Sequence, residues 1–419
     1  MTDLHGAVVN LSTPADSSLI GRLATSVSNM RRIWLLLLIL PASLFSLFMP
    51  ALFVFLFLLI LSFMPHNRGT SIAVSALNAV LLFGWINVEK IPINDWAWYT
   101  KHYGWLERMP LSSYLGHVFD GLTIKWTEPV YHTLSALLSR LTGGSVLALT
   151  LVVTTIIYGN VAAGIAIMVR GRLKSALEAV LITWVPICIG ITFTLTAQLV
   201  RQEIAASLLF LGLMLLWVQR QNWGWALVVM ALLTHNSSVF PALCVFMAVW
   251  FTLKTNLGAP YWVTIVFLLG VVLGGMFLLS PSGDVYYENQ QNDGTVSTLV
   301  YILDVAIFLA LLLMRQRLSD LGELTKVVIA CVIAYAGLIV AVSPAPLLGL
   351  RMYFYMDYFR AAMLVLLVLA FSRTRMGWIL GAPFGFAALV YVEARIAVSP
   401  FYFHGGVLAH LMRPFAFFQ

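Results

Sequence analysis

Long apolar runs separated by short polar segments are the main pattern along this chain. A helix needs about 20 residues to cross the hydrocarbon core of a bilayer, and Thr70–Val88, Ser145–Val169 and Tyr261–Leu279 approach that length. These runs are continuous, whereas the strands of a membrane barrel alternate apolar and polar residues. The pattern predicts an all-α, polytopic integral membrane protein with about 11–14 transmembrane helices, forming one integral-membrane domain over 1–419.

Two apolar stretches are too long for one span and contain a break. Trp34–Met64 includes Pro41 and Pro50, which favours two short helices over one long helix. Trp223–Leu253 is interrupted by the polar segment 234–238, which predicts a short helix on each side. The other predicted spans are Ala176–Thr192, Ile204–Val218, Leu299–Met314, Val327–Val342, Arg360–Phe371 and Met376–Val392.

The placement of basic residues predicts which side of the membrane each loop occupies. More than half of the 24 Lys and Arg residues fall in the short loops on one side of this threading, and such loops are normally cytoplasmic. The N-terminal segment 1–32 is therefore expected inside, and the first helices are expected to act as an uncleaved membrane anchor. The segments 89–144, 280–298 and 343–358 are expected outside, the first as amphipathic helices on the membrane face.

Composition supports this assignment and excludes several classes of function. Hydrophobic residues make up 61% of the chain and charged residues 10%, with a mean hydropathy of +0.93, far from a soluble domain. The net charge of +7 follows from the inner loops and does not indicate nucleic-acid binding. Three widely spaced cysteines in apolar runs predict no metal site. The absence of a P-loop argues against an ATP-driven pump.

Acidic and aromatic residues alternate in the first large outer segment. Asp95, Trp98 and Tyr99 form one group, and Glu128 and Tyr131 form another. Aromatic rings stack on sugar faces and carboxylates accept hydrogen bonds from sugar hydroxyls, so this pattern is typical of carbohydrate binding. An interfacial belt of aromatic residues explains it equally well.

Arg201 stands at the outer start of a predicted helix and has no basic neighbours. Its planar guanidinium suits a phosphate or pyrophosphate, and a helix N-terminus attracts anions. Gln202 follows it and offers an amide to the same ligand. The alternatives are an ion pair with Glu203 or a side chain reaching the lipid headgroups.

The pair His235-Asn236 interrupts an apolar stretch at the membrane edge. A neutral imidazole there could take a proton from an acceptor hydroxyl, because the ordinary pKa of histidine lies near working pH. The alternative is a buried histidine that hydrogen-bonds the backbone at a helix break.

A late outer segment places one arginine among tyrosines and an aspartate. Arg351 with Tyr353, Tyr355 and Asp357 would form a second anion clamp with hydroxyl donors. An aromatic belt in which Arg351 pairs with Asp357 is the alternative.

The order and sidedness of these motifs resemble the EpsG-like family of exopolysaccharide polymerases, within the wider Wzy group. The resemblance is carried by Asp95 and Tyr99, Glu128-Pro129, Arg201-Gln202, His235-Asn236-Ser237 and Arg351-Met352-Tyr353, and covers roughly 85–370. It implies a glycosyltransferase-C-like membrane enzyme of a bacterial inner membrane, with its active site facing the periplasm. This chain is richer in tryptophan around Asp95 than the family pattern.

The resemblance also implies a reaction. A glycan would move from polyprenyl (undecaprenyl) pyrophosphate onto a second lipid-linked repeat unit, without a metal or cofactor, with membrane lipids and a chain-length regulator as possible partners. Arg201, Arg351 and Tyr353 would hold the pyrophosphate, and His235, Asp95 or Glu128 would act on the acceptor hydroxyl. The predicted substrate-binding residues are Trp98, Tyr99, Tyr131, Gln202, Asn236, Tyr355 and Asp357.

Three alternatives remain open from the sequence. A ligase would use another acceptor lipid, and a polyprenyl-monophosphate-dependent glycosyltransferase would use Asp95 as its base. A flippase for lipid-linked oligosaccharides belongs to a different class and would carry charges near the bilayer midplane. The outer-edge position of the candidate charges favours an enzyme over the flippase.

Overall fold

Apolar runs form helices throughout the computed structural model, which describes residues 50–64, 67–116, 127–254, 259–279, 298–374, 377–397 and 405–413. No strand occurs in these ranges. The α-helices are α1 Pro50–Phe63, α2 Arg68–Val88, α3 Asn94–Arg108, α4 Leu111–Gly116, α5 Pro129–Thr142, α6 Val146–Met168, α7 Ala176–Val185, α8 Phe193–Gln198, α9 Val200–Trp217, α10 Gln221–Thr234, α11 Val239–Lys254, α12 Ala259–Leu278, α13 Thr298–Met314, α14 Gly322–Val342, α15 Pro346–Tyr353, α16 Met356–Ser372, α17 Gly377–Ala397 and α18 Val407–Leu411.

Length and hydropathy identify membrane spans among these helices. Five stretches of the described chain are long and apolar enough to cross a bilayer: 68–88, 146–168, 200–217, 298–342 and 346–372. Four shorter apolar helices, 51–63, 176–190, 236–252 and 263–278, accompany them. The predicted all-α polytopic membrane fold is therefore confirmed. The predicted segment 1–32 lies outside the described residues, as do the predicted loop 280–298 up to residue 297 and the part of the first helix pair before Pro50.

The spans pack into a helical core. Helix α6 packs against α2 and α9, α9 packs against α10, and α12 and α11 pack against α14. Gly270 of α12 faces the backbone of Ala334 in α14 so closely that a Cβ atom would not fit. Small residues allow helix backbones to approach in this way in membranes.

Two of the predicted irregular regions position functional side chains. The break in 223–253 is present: α10 ends at Thr234, His235 is extended (φ −153°, ψ 123°), and a 3₁₀ turn over Asn236–Ser238 leads into α11. In the described parts of 89–144, the segment predicted to lie outside, the chain forms the short helices α3, α4 and α5. The predicted loop 343–358 is instead largely helical, because Pro346 starts α15 and α16 begins at Met356.

Candidate active site

The carboxylate of Glu128 brings several predicted site residues together. Glu128 directly precedes α5, and only 2% of its side chain is exposed. It accepts a hydrogen bond from Nη1 of Arg201 and forms an ion pair with that side chain. Its Oε1 lies 2.7 Å from Nδ1 of His235 and accepts the backbone N–H of Asn236 at 3.1 Å. Groups from α9 and from the α10–α11 break thus converge on one carboxylate, which we call the Glu128 cluster (Glu128, Arg201, His235 and Asn236).

Arg201 lies in the first turn of α9 and is held from two directions. Besides its ion pair, its Nε donates to the hydroxyl of Tyr99 at 3.1 Å. Its guanidinium lies 5.3 Å from the ring centre of Trp98 and 5.5 Å from that of Tyr99, a separation typical of cation–π contacts. Within the described part of the chain Nη2 has no partner, and 18% of the side chain is exposed. Arg201 therefore keeps donors for an anion.

His235 is oriented by the same carboxylate. Since an ionised carboxylate only accepts, Nδ1 carries the proton, and Nε2 is left as the nitrogen that can accept one. The side chain of His235 is 14% exposed. Asn236 supports this arrangement, because its Nδ2 donates to Oγ1 of Thr127 at 2.7 Å, next to Glu128.

Charge and burial set the protonation states of the cluster. Burial alone would raise the pKa of Glu128, but the charge of Arg201 and the hydrogen bond from His235 outweigh it and lower this pKa to about 2. Burial lowers the pKa of His235, and the positive charges of Arg201 and Arg351 add to that effect. At neutral pH the cluster therefore contains a carboxylate anion, a guanidinium and a neutral imidazole.

The segment 343–358, which was predicted to lie outside, is beside this cluster. The amide of Gln202 donates to the backbone oxygen of Arg351 at 2.6 Å, which joins α9 to α15. The hydroxyl of Tyr355 lies 3.1 Å from Oγ of Ser237, in the 3₁₀ turn after His235. Gln202 was predicted to contact substrate, yet its amide instead forms a hydrogen bond between the two helices that carry Arg201 and Arg351.

Two predicted site residues belong to a separate buried group. The hydroxyl of Tyr353 donates to Asp304, and Asp357 pairs with Arg360 at 2.8 Å. Both side chains are buried. The alternative pairing of Arg351 with Asp357 is therefore wrong.

The alternative pairing of Arg201 with Glu203 is also wrong. Arg201 pairs with Glu128, whereas Glu203 is fully buried and accepts the hydroxyl of Tyr358 at 2.8 Å. The two residues are two positions apart on one helix, so their side chains point about 200° apart and enter different surroundings.

The aromatic candidates surround Arg201, and Asp95 lies at the edge. Tyr131 is buried and meets the ring of Tyr99 edge-on at 5.6 Å. Trp98 stacks on His102 with ring centres 3.8 Å apart. Asp95 lies one helical turn before Tyr99. Burial raises the pKa of Tyr99, and the charge of Asp95 contributes to the shift. Among the described residues no hydrogen bond or ion pair joins Asp95 to the Glu128 cluster.

The sequence interpretation missed two buried cations. The ammonium of Lys90 donates to the backbone oxygen of Ala197 at 2.7 Å and lies 3.1 Å from the ring centre of Trp96. Burial places its pKa well below the ordinary value. Arg360 is completely buried. Asp304 was the available signal for Arg360, because a carboxylate in an apolar run needs a partner.

These features define a class: a polytopic helical membrane protein with a carboxylate–arginine–histidine site at the end of its spans. In the described ranges no group of three or more His, Cys, Asp and Glu side chains could hold a metal ion. The chain belongs to the EpsG family, whose family model matches residues 72–403 and thus includes the whole Glu128 cluster. No curated protein and no solved structure matches it. Membership indicates a membrane protein of the polysaccharide-polymerase type, which fits lipid-linked substrates.

Proposed function

We propose that this protein is a polysaccharide polymerase that transfers a glycan from polyprenyl pyrophosphate onto a lipid-linked repeat unit at the outer face of the bacterial inner membrane. The observation that carries the proposal is the Glu128 carboxylate, which joins a guanidinium and an imidazole that are both partly exposed. The guanidinium suits an anionic leaving group, and the imidazole suits a nucleophilic hydroxyl.

His235 is the base in this proposal. The acceptor hydroxyl attacks C1 of the donor glycan, the bond from C1 to the pyrophosphate oxygen breaks, and the hydroxyl proton moves to Nε2 of His235. Glu128 holds Nδ1–H and stabilises the imidazolium that forms. Glu128 itself is a poor base, since its pKa of about 2 leaves it little affinity for a proton.

The two arginines stabilise the leaving group. Negative charge grows on the pyrophosphate as the bond to C1 breaks, and pre-positioned cations lower the energy of that state. Arg201 offers its remaining donors, and Arg351 lies near enough for its charge to lower the pKa of His235. We therefore expect a reaction that needs no metal.

The test uses purified protein in nanodiscs with one lipid-pyrophosphate-linked repeat unit, without nucleotide and with a metal chelator. The expected result is a ladder of longer glycans, resolved by size, together with free lipid pyrophosphate. Arg201→Ala should lower the rate by about 100-fold or more while the protein level stays normal.

Other results would redirect the assignment. If the substrate stays unchanged on its own and is consumed only after a second acceptor lipid is added, the protein is a ligase. Unchanged substrate that crosses the bilayer of liposomes would identify a flippase. A full-length ladder from Arg201→Ala would contradict the role of this side chain in holding the pyrophosphate.

A further inference from the structure

Arg360 has a partner in the protein for every donor it carries. Its Nε and Nη2 donate to the two carboxylate oxygens of Asp304, and Nη2 also donates to the hydroxyl of Tyr353 at 3.1 Å. Its Nη1 donates to Asp357 at 2.8 Å and to the backbone oxygen of Gly190 at 3.1 Å. A guanidinium has five N–H donors, so this one is saturated. We call these residues the Arg360 cluster (Asp304, Tyr353, Asp357 and Arg360).

Saturation and burial give Arg360 a different role from Arg201. The side chain of Arg360 is 0% exposed and that of Arg201 is 18% exposed. A buried charge without spare donors cannot receive a ligand without breaking contacts that hold several helices together. Arg360 therefore acts on the surrounding helices and does not bind substrate.

The Arg360 cluster reaches the short helix that carries Arg351. Three consecutive residues at the end of α15 are each held by a different part of the molecule. The backbone oxygen of Arg351 accepts the amide of Gln202 from α9, and that of Met352 accepts the hydroxyl of Tyr335 from α14. The side chain of Tyr353 is held by the Arg360 cluster, which joins α13 to α16. The backbone that carries Arg351 is therefore held from three directions.

We propose that Arg360, Asp304 and Tyr353 are positioning residues that set Arg351 at a fixed distance from Arg201, so that both guanidiniums meet one pyrophosphate. The inference rests on the proposed function, in which these arginines hold the leaving group. It assigns the hydroxyl of Tyr353 to the support of Arg351, whereas the sequence alone suggested a direct ligand. Misplacement of a binding group by about 1 Å is sufficient to cost a large part of its effect.

The test compares Tyr353→Phe with Tyr158→Phe. Both variants lose one buried tyrosine hydroxyl, but the hydroxyl of Tyr158 lies 3.4 Å from Oγ1 of Thr196 and, among the described residues, makes no hydrogen bond to α15. The probe is farnesyl pyrophosphate, and its dissociation constant is measured by calorimetry with full-length protein in nanodiscs. We expect Tyr353→Phe to weaken binding by about tenfold and to slow polymer formation similarly, whereas Tyr158→Phe changes binding by less than about twofold.

A double-mutant cycle separates positioning from direct contact. If Tyr353 acts through Arg351, then adding Tyr353→Phe to Arg351→Ala should change the dissociation constant by less than about twofold. A further loss of about tenfold in the double variant would overturn the proposal and make Tyr353 a ligand in its own right. Equal effects of Tyr353→Phe and Tyr158→Phe would also overturn it.

The binding measurement distinguishes this inference from the polymerase assignment. If the native protein binds farnesyl pyrophosphate with the expected coupling but makes no polymer, the proposed reaction is wrong and the positioning role stands. If the native protein forms polymer while Tyr353→Phe binds and reacts normally, the positioning role is wrong and the reaction stands. A native protein that does not bind the probe contradicts the positioning role, because Arg351 then has no pyrophosphate to hold.

Discussion

Glu128 joins side chains that are far apart along the chain. Arg201 is 73 residues away and His235 is 107 residues away, yet both bond the same carboxylate. One charge thereby orients a cation for the leaving group and an imidazole for the acceptor. The neutral amide of Gln would keep the shape of this side chain but would lose the ion pair with Arg201 and the negative charge that faces His235.

Glu128→Gln tests this role at the residue scale. We expect the rate of polymer formation to fall by about 100-fold, a typical contribution of an oriented base, with little change in protein level. Glu107→Gln is the matched control, because Glu107 is an exposed glutamate of α3 in the same segment 89–144. Equal rates in the two variants would remove Glu128 from the mechanism.

The pH dependence of the rate tests His235. A base must be neutral to act, so the rate should rise with pH through the pKa of His235. Burial lowers that pKa, and we expect the midpoint to lie below the ordinary value of about 6.5. The bond and the charge of Glu128 raise this pKa, whereas the charge of Arg351 lowers it.

The two single variants should therefore move the midpoint in opposite directions. The residual rate of Glu128→Gln should rise at lower pH than that of the native protein, and that of Arg351→Ala should rise at higher pH. The residual rates can be measured over several hours at each pH, because the test compares only the pH at which each rate reaches half of its maximum. Shifts in the same direction would show that the titrating group is not His235.

The sequence pointed to all four members of the Glu128 cluster but not to the contacts that join them. Arg201 and His235 stand out because each interrupts an apolar context on the side where basic residues are rare. Their shared partner is a long-range tertiary contact, which no local pattern encodes. Arg360 escaped notice because it was placed at the membrane edge, where a charge needs no partner, whereas α16 begins four residues earlier and buries it.

At the scale of helices, the predicted and observed helix ends agree where one physical constraint, such as apolar length or a polar interruption, determines them. Apolar length places α2, α6 and α13 within two residues of prediction, and the polar segment at 234–238 marks a real break. Helix α9 begins four residues before the predicted start. The prediction of span length counted only apolar residues. This helix also includes Arg201 and Glu203, because Glu128 accepts a hydrogen bond from Arg201 and Tyr358 donates one to Glu203.

Close packing of α12 on α14 depends on glycine, and two glycines of one helix test this dependence. A Cβ on Gly270 would overlap the backbone oxygen of Ala334, whereas a Cβ on Gly275 would meet no atom within 4 Å. We expect Gly270→Ala to destabilise the protein by about 1–3 kcal/mol through overpacking. Gly275→Ala should be neutral or stabilising, because alanine favours helix. Thermal unfolding in detergent measures both, and equal melting temperatures would refute this account of the packing.

At the scale of the whole molecule, the Glu128 cluster and a basic cluster occupy opposite ends of α9. Arg201 lies in the first turn of this helix, and the guanidinium of Arg172 lies 5.6 Å from the ring centre of Trp217 at its other end. A helix of 18 residues is about 27 Å long, close to the thickness of the hydrocarbon core. Arg172 and Arg373 both pair with Asp320, so three basic loops meet at one face.

Labelling of introduced cysteines tests the resulting orientation. Basic loops favour the cytoplasm, which puts the Arg172 face inside and the Glu128 cluster outside. In spheroplasts, a membrane-impermeant maleimide should label Glu107→Cys directly and Arg170→Cys only after permeabilisation, since both positions are exposed. The native cysteines Cys188, Cys244 and Cys331 are buried and should give little background. Labelling of Arg170→Cys in intact spheroplasts would place the site in the cytoplasm, where an enzyme that extends outer-face lipid-linked glycans could not reach its substrate.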